Sequence, residues 1–451
     1  MSEPVALFEP TPTAESAPSA TRDVRREPLE VELDRLLAAG DVHSVYQPIV
    51  ELDTGATVGY EALARGPRGM VLERPDLLFA AARQCGRLAE LDRACQRAAV
   101  SGARARGLVT PWTLFVNIEP ETAYLTLLRS AARDTDEAPS VFAPTSDLPI
   151  IVELTERALI ADPVELLKLV ARVRARGWGI ALDDVGADRN SLALLPLLKP
   201  DVIKLDLSLI QPQPTAAIAQ IVSAVLAEAE RSGTMVLAEG IETEEHLDVA
   251  LAMGATLGQG WLLGRPGPLP APGPAFTGTP LPIAHRGDLV PTETPFSLGA
   301  ALRPPRRSRK ALLVEISKHL EREAMTSGES TVVLATFQDA SFFTPTTSRR
   351  YATLAANAAF VGALGEGMPP EPLPGIRGCV LEPTDPLVGE WDIVVVGPHF
   401  AVTLVARDLG DSGPDRDRRF EFVLSHQREL AIKVALALMS RVWPGRPDHG
   451  Q

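Results

Sequence analysis

The chain has 451 residues, room for two or three domains at roughly 150 residues each, with 45% hydrophobic and 23% charged residues, enough for a large buried core. Lys plus Arg number 44 against 58 Asp plus Glu, a net charge of −14 that argues against a general nucleic-acid polymer binder. A phosphate substrate stays open, because divalent metals on a carboxylate cluster reverse the local sign.

Residues 1–28 are rich in Pro, Ala, Ser and Thr and read as a disordered tail without a signal peptide. From Leu29 a helical stretch, LEVELDRLLAAG, ends at Gly40. Eight short apolar runs follow: SVYQPIVEL, TVGYEALAR, WTLFVNIEP, LPIIVELTE, GIALDDVG, VIKLDLSLI, TMVLAEGIE and TLGQGWLLG. Stretches of helical period such as DPVELLKLVARVRARG lie between most of them, the pattern of an α/β protein with a parallel sheet. Eight runs predict a closed (β/α)8 barrel of TIM type. The turn DTG leaves no room for a helix between the first two runs, which predicts a hairpin and one antiparallel strand. Residues 269–294 are Pro- and Gly-rich and read as a semi-rigid linker. Residues 295–445 regain ordinary composition, with helices (RKALLVEISKHLEREAM, RELAIKVALALMSRV) and short strands that predict a smaller α+β domain. The catalytic-type barrel would thus occupy 29–268. Cys85, Cys95 and Cys379 are too few and scattered for a disulfide framework, and the longest apolar run, Ile393 to Ala406, is interrupted by Pro398 and His399. A soluble, cytoplasmic protein without a membrane span is expected.

Polar residues gather at the carboxyl ends of the apolar runs, and a barrel brings all those ends to one mouth. They are Glu61, Asn117, Glu153, Glu156, Asp183, Asp184, Lys204, Asp206, Glu239, Glu242 and Gln259. Taken singly, an acidic residue after a strand is often a helix cap, and the Asp183-Asp184 doublet could be a solvated loop. Crowded together around a single lysine, the carboxylates would repel one another unless cations neutralise them. An all-oxygen set without His or Cys points to two Mg2+ or Mn2+ ions, the arrangement that supports in-line phosphoryl displacement.

At these residues the chain resembles the EAL-domain phosphodiesterases that hydrolyse cyclic di-GMP. The name motif is Glu61-Ala62-Leu63, with Arg65 in frame, and QPIV, FVNIEP, ELTE, DD, KLD, EGIE and QGWLLGRP follow in family order. The resemblance implies metal ligands at Glu61, Asn117, Glu153, Asp183 and Asp184. It implies catalytic roles for Glu61, Lys204, Glu239 and Gln259, and a loop-holding role for Glu156. Gln47, Arg65 and Asp206 match substrate-binding positions, Arg65 at a phosphate and Asp206 at a guanine edge. One segment departs: active relatives typically read DDFGTGYSSL where this chain reads DDVGADRNSL, with Val185, Asp188 and Arg189 changed. The resemblance therefore implies a phosphodiesterase that opens cyclic di-GMP to pGpG under a C-terminal sensory domain. The alternative is a weakly active or inactive cyclic di-GMP receptor.

The C-terminal part is similar to the DICT domain through SRKALLVEISKHLE, TFQDASFFT, SRRYATLA and DPLVGEWDIVVVGPHFAVTLVARD. That implies a sensory role with an unnamed ligand or partner, and a homodimer is compatible with it. Trp391, Phe400 and Phe420 either line a pocket there or belong to the core, and Cys379 reads as a buried hydrophobe.

Overall fold

Each of the eight apolar runs holds a strand. The computed structural model describes residues 26–119, 147–155, 163–186, 192–211, 213–270, 275–283, 289–412 and 414–442. The strands are β1 (His43–Glu51), β2 (Thr57–Arg65), β3 (Thr113–Asn117), β4 (Ile150–Thr155), β5 (Gly179–Val185), β6 (Val202–Leu205), β7 (Met235–Ala238) and β8 (Leu257–Gly258). They close into a barrel in sequence order, and β1 runs antiparallel to both of its neighbours, β2 and β8. The expected hairpin is the cause. In its turn the Gly55 N–H donates to the Glu51 carbonyl at 2.9 Å, with Gly55 at φ +69°. Only glycine adopts that left-handed backbone at no steric cost.

Outside the barrel lie α1 (Arg26–Ala39), α2 (Pro75–Gln84), α3 (Leu88–Ala105), α4 (Pro163–Ala175), α5 (Leu195–Leu198), α6 (Leu207–Ile210), α7 (Ala216–Ser232) and α8 (Glu244–Ala252). Their apolar faces follow helical spacing: α3 buries Leu88, Leu91, Cys95, Ala99 and Ala103. Helix α7 begins where the Thr215 hydroxyl accepts the Ile218 N–H and ends at Gly233, φ +73°. Inside the barrel, Ile49, Val58, Phe115, Ile151, Ala181, Val202, Leu237 and Leu257 form an apolar floor. Burying each large side chain of this kind stabilises the fold by about 1.5–3 kcal/mol. Part of the Pro- and Gly-rich segment seals this floor from below. Leu281 and Ile283 pack onto it, and Phe276 stacks edge-on against Trp112 at 5.0 Å.

The second domain contains α9 (Pro295–Leu302), β9 (Arg306–Arg309), α10 (Lys310–Ser327), β10 (Val332–Asp339), α11 (Pro345–Ala355), β11 (Phe360–Glu366), β12 (Ile376–Val380), β13 (Glu390–Val396), β14 (Ala401–Asp408), β15 (Arg419–Ser425) and α12 (Arg428–Met439). Its sheet has the order β12-β11-β10-β13-β14-β15-β9, with β10, β11 and β12 parallel and the remaining pairs antiparallel. Strand alternation gives the sheet two apolar faces. Val333, Ala335, Ile393 and Val395 pack with α10 and α11, whereas Val332, Leu334, Val394 and Val396 pack with α12. Cys379 is buried as expected, and burial pushes its thiol up to about 11. No described helix is long and apolar enough to cross a membrane.

Helix α12 is hydrophobic on nearly every side because the barrel covers what the sheet leaves open. It packs on α5, whose four residues are all buried. Around the apolar contact, Lys199 Nζ meets the Glu429 carboxylate at 2.8 Å, and the Arg231 guanidinium of α7 donates to the Pro398 carbonyl at 2.9 Å. Arg428 reaches Glu228 at 3.7 Å, with the Glu228 side chain only 5% exposed.

Candidate active site at the barrel mouth

The floor residues position the polar ones. Side chains two apart on a strand share a face, so in β3 to β8 each inward floor residue is followed, two positions on, by a polar residue higher in the barrel. Phe115 precedes Asn117, Ile151 precedes Glu153, Ala181 precedes Asp183, Val202 precedes Lys204, Leu237 precedes Glu239 and Leu257 precedes Gln259. In the reversed strand β1 the order inverts, and Gln47 precedes Ile49. Glu61 stands opposite Gln47 across the hairpin.

Lys204 is the centre of the cluster, only 1% exposed. Its ammonium lies 2.7 Å from Glu153, 2.8 Å from Asp183, 2.8 Å from Glu239 and 3.7 Å from Glu61. Burial alone would lower its pKa, but Asp183, Glu153, Glu239 and Glu61 together outweigh that and hold it well above the usual lysine range. Lys204 is therefore a fixed positive charge.

Glu153 is fully buried, and burial with the nearby Glu61 charge drives its carboxyl well above the ordinary range. It meets Lys204 as an ion pair through Oε1, and its Oε2 accepts no hydrogen bond from a described residue. Burial also pushes Glu239 up, to about 8, although Lys204 opposes the shift. Oxygens of Asp183, Asp184 and Glu239 lie within 4.8 Å of one another. Asp184 sits at φ +59°, a backbone that costs an aspartate little, and its N–H donates to Asp183 Oδ1 at 3.1 Å.

Hydrogen bonds order the other wall. The Gln259 amide donates to Glu61 Oε2 at 2.6 Å and to Gln47 Oε1 at 3.0 Å, and the Gln47 amide donates to the Gly264 carbonyl at 3.1 Å. Asn117 Nδ2 donates to Glu61 Oε1 at 3.1 Å. Both Glu61 oxygens are thus aimed by neutral amides. Gly260 makes this close packing feasible, since a Cβ there would meet the Ile241 backbone at 2.1–2.5 Å.

The structure therefore brings together Gln47, Glu61, Asn117, Glu153, Asp183, Asp184, Lys204, Glu239 and Gln259. Two expected substrate contacts make local hydrogen bonds. The Arg65 guanidinium donates to the Ala64 carbonyl at 2.7 Å, and Asp206 caps α6 by accepting the Ser208 N–H at 2.8 Å. Glu156, Asp188 and Arg189 lie outside the described residues. Sequence reasoning passed over Trp261, which is 55% exposed beside Gln259, with the Arg265 guanidinium 4.6 Å above its ring. A tryptophan left in water after a strand end was the available signal.

The donor set suits hard divalent cations. Glu61, Glu153, Asp183 and Glu239 place four carboxylates around one lysine, Asp184 adds a fifth beside Asp183 and Glu239, and Glu153 keeps Oε2 buried without a hydrogen-bond donor. Such an excess of negative oxygen in a low-dielectric mouth calls for cationic neutralisation.

Comparison with known proteins agrees with this chemistry. The EAL domain profile matches residues 30–266, and the profile of the sensory domain in diguanylate cyclases and two-component systems, DICT, matches 296–409. Cyclic di-GMP phosphodiesterase RocR of Pseudomonas aeruginosa is 29% identical over 254 residues, 54% of this chain and 62% of RocR. Cyclic di-GMP phosphodiesterase NbdA of the same organism is 30% identical over 249 residues, 54% of this chain and 31% of NbdA. The chain thus covers less than two thirds of the length of these curated relatives. Among solved structures, a manganese and cyclic di-GMP complex of Klebsiella pneumoniae BlrP1 matches at 28% identity and a TM-score of 0.42, over 50% of this chain and 56% of that one. The chain belongs to the EAL domain family, the family of cyclic di-GMP phosphodiesterases, and carries a DICT sensory domain C-terminal to its barrel.

Proposed function

We propose that the chain hydrolyses cyclic di-GMP to linear pGpG at the barrel mouth, with residues 29–268 as the catalytic unit and 295–445 as its sensory control. The observation that carries this reading is the carboxylate cluster around Lys204, together with the unpartnered Oε2 of Glu153. Glu61, Asn117, Glu153, Asp183 and Asp184, with Glu239, would hold two Mg2+ or Mn2+ ions. Bound there, such ions would lower the pKa of a water and neutralise charge on the phosphate oxygens.

The protein's own groups account for the rest. Lys204 keeps its proton because three carboxylates lie within 2.8 Å, so it orients a nucleophilic water or faces developing negative charge. Gln259 and Asn117 hold Glu61 in one orientation by donating to opposite oxygens, which reduces the reorganisation needed at the moment of reaction. Arg65, at the end of β2, would meet a phosphate, and Asp206 would offer Oδ2 to a guanine edge while Oδ1 caps α6.

Regulation runs through α12 and α5. Helix α5 ends the connection that leaves β5 directly after Asp183 and Asp184. The carbonyls of its last residue, Leu198, and of Lys199 after it accept the Arg174 guanidinium at 2.6 Å and 2.7 Å, and α12 packs in the same apolar cluster. A shift of the sensory domain at α12 would therefore bear on the segment beside two expected metal ligands. The test is Glu61→Ala, which should cut turnover by at least about 100-fold with the fold intact, since it removes both a ligand and the partner of two amides. Turnover near the wild-type rate would remove Glu61 from the chemistry.

A further inference from the structure

A small residue opens space under the far face of the second domain's sheet. Ala335 on β10 lies between Phe337 on its own strand and Ile393 and Trp391 on β13, and a cavity of about 300 Å3 forms there beneath α10 and α11. Its walls are aromatic: the Phe337 and Tyr351 rings meet edge-on at 5.3 Å, and Trp391 stands against Phe420 at 5.7 Å. The cavity opens to solvent on one side, and its ring-lined walls suit an apolar, planar partner better than water.

The charged groups at this cavity are paired, but one buried hydroxyl is an exception. Glu321, its side chain 4% exposed, pairs with Arg350 at 2.5 Å. Lys310 pairs with Asp415 at 2.6 Å, and Lys318 with Glu315 at 2.7 Å. The exception is Ser317. It is 6% exposed, lines the cavity, and its buried hydroxyl has no hydrogen-bond partner among the described residues. A serine in mid-helix commonly returns its hydroxyl to a carbonyl one turn back, and this one does not. An unmatched buried hydroxyl costs stability, which a bound partner would offset. At the cavity edge Gln338 holds φ +57°, a left-handed backbone rare for a residue with a side chain and frequent at ligand clamps.

We propose that this cavity is a binding site for a neutral, planar aromatic or heteroaromatic molecule of one or two fused rings. The ring would lie against Phe337, Tyr351 and Trp391, and one polar atom would bond to Ser317. The ring-lined walls and the charge pairing select this class. A cyclic dinucleotide brings two phosphates, while every cationic side chain lining the cavity already has a carboxylate partner. The site lies on the face of the sheet opposite α12, so binding there is distinct from the barrel chemistry and is testable without it.

The experiment uses the full chain and two neutral probes, indole and adenine, with inorganic phosphate as the anionic comparison. Saturation-transfer NMR and thermal melting report binding. At least one neutral probe is expected to bind saturably and raise the melting temperature, whereas phosphate does neither. Ala335→Leu, which fills the void, should abolish binding. Ser317→Val should melt no lower than wild type, because no internal hydrogen bond is lost, and should weaken binding by about fivefold. The proposal is overturned if neither neutral probe binds or if phosphate binds instead. It is equally overturned if binding survives Ala335→Leu or is unchanged in Ser317→Val, or if Ser317→Val melts markedly lower than wild type.

Discussion

Removing the ammonium of Lys204 is the sharpest perturbation of the barrel mouth. Lys204→Met keeps most of the side-chain volume and deletes one charge that Glu153, Asp183 and Glu239 all approach within 2.8 Å. Those carboxylates are largely or wholly buried, so they would be left facing one another without a counter-charge. Breaking a buried ion pair by removing one partner costs about 3–5 kcal/mol. At about 2–4 °C per kcal/mol for a domain of this size, the barrel should melt about 6–20 °C lower in EDTA at neutral pH. Part of the loss returns as the pH falls, because the stranded carboxylates can then take up protons. Added Mg2+ or Mn2+ should raise the melting temperature of the variant more than that of wild type, since cations would take over the neutralisation that Lys204 supplied. Differential scanning calorimetry of both full-length proteins, with EDTA and with each metal, makes the comparison. A variant as stable as wild type in EDTA, or one that gains nothing extra from metal, would refute the view that Lys204 balances the cluster.

Glu153→Gln should do the opposite: burial and the Glu61 charge disfavour the charged form of Glu153 even beside Lys204, so the metal-free protein should be as stable as wild type or more so, while the metal-induced rise in melting temperature shrinks. Metal-free stability should also fall between about pH 4.5 and about 8. Burial raises the folded-state pKa of Glu239 from 4.5 to about 8, so the folded chain retains a proton that the unfolded chain has lost; a calorimetric pH series with a flat or rising trend would contradict this. Gly260→Ala should destabilise the barrel by about 1–3 kcal/mol, because its Cβ would collide with the Ile241 backbone, and urea titration would expose a neutral effect as an error. Leu436→Ala, in the buried face of α12, should cost about 2–5 kcal/mol and loosen the contact with the barrel, visible as faster hydrogen exchange in α5.

Much of the barrel was legible because a parallel strand buried on both faces must be a short apolar run, and eight such runs were countable. The hairpin was legible from the turn DTG alone. The mouth residues could be found because they stand at the carboxyl ends of the apolar runs, which a barrel gathers at one mouth. What sequence hides is distance. Nothing in IKLD says that Lys204 meets Glu153 and Glu239 from other strands within 2.8 Å, or that Glu153 keeps one oxygen without a donor. Composition also described 269–294 as a connection, while Phe276, Leu281 and Ile283 lie in it and pack against Trp112 and the barrel floor. In the second domain the three aromatics separate. Trp391 lines the cavity and Phe420 is fully buried behind it, whereas Phe400 stacks near His426 at 6.2 Å. Ser317 carried no sequence signal, because a serine in an amphipathic helix ordinarily reads as a surface residue.

The central claim is that the mouth of the barrel hydrolyses cyclic di-GMP with divalent metal. The most direct measurement is the conversion of cyclic di-GMP by the purified full chain, followed by chromatography, with Mg2+, with Mn2+ and with EDTA. The account predicts metal-dependent formation of linear pGpG that EDTA abolishes. Saturable binding of cyclic di-GMP with no pGpG formed under either metal would contradict it and identify the barrel as a receptor.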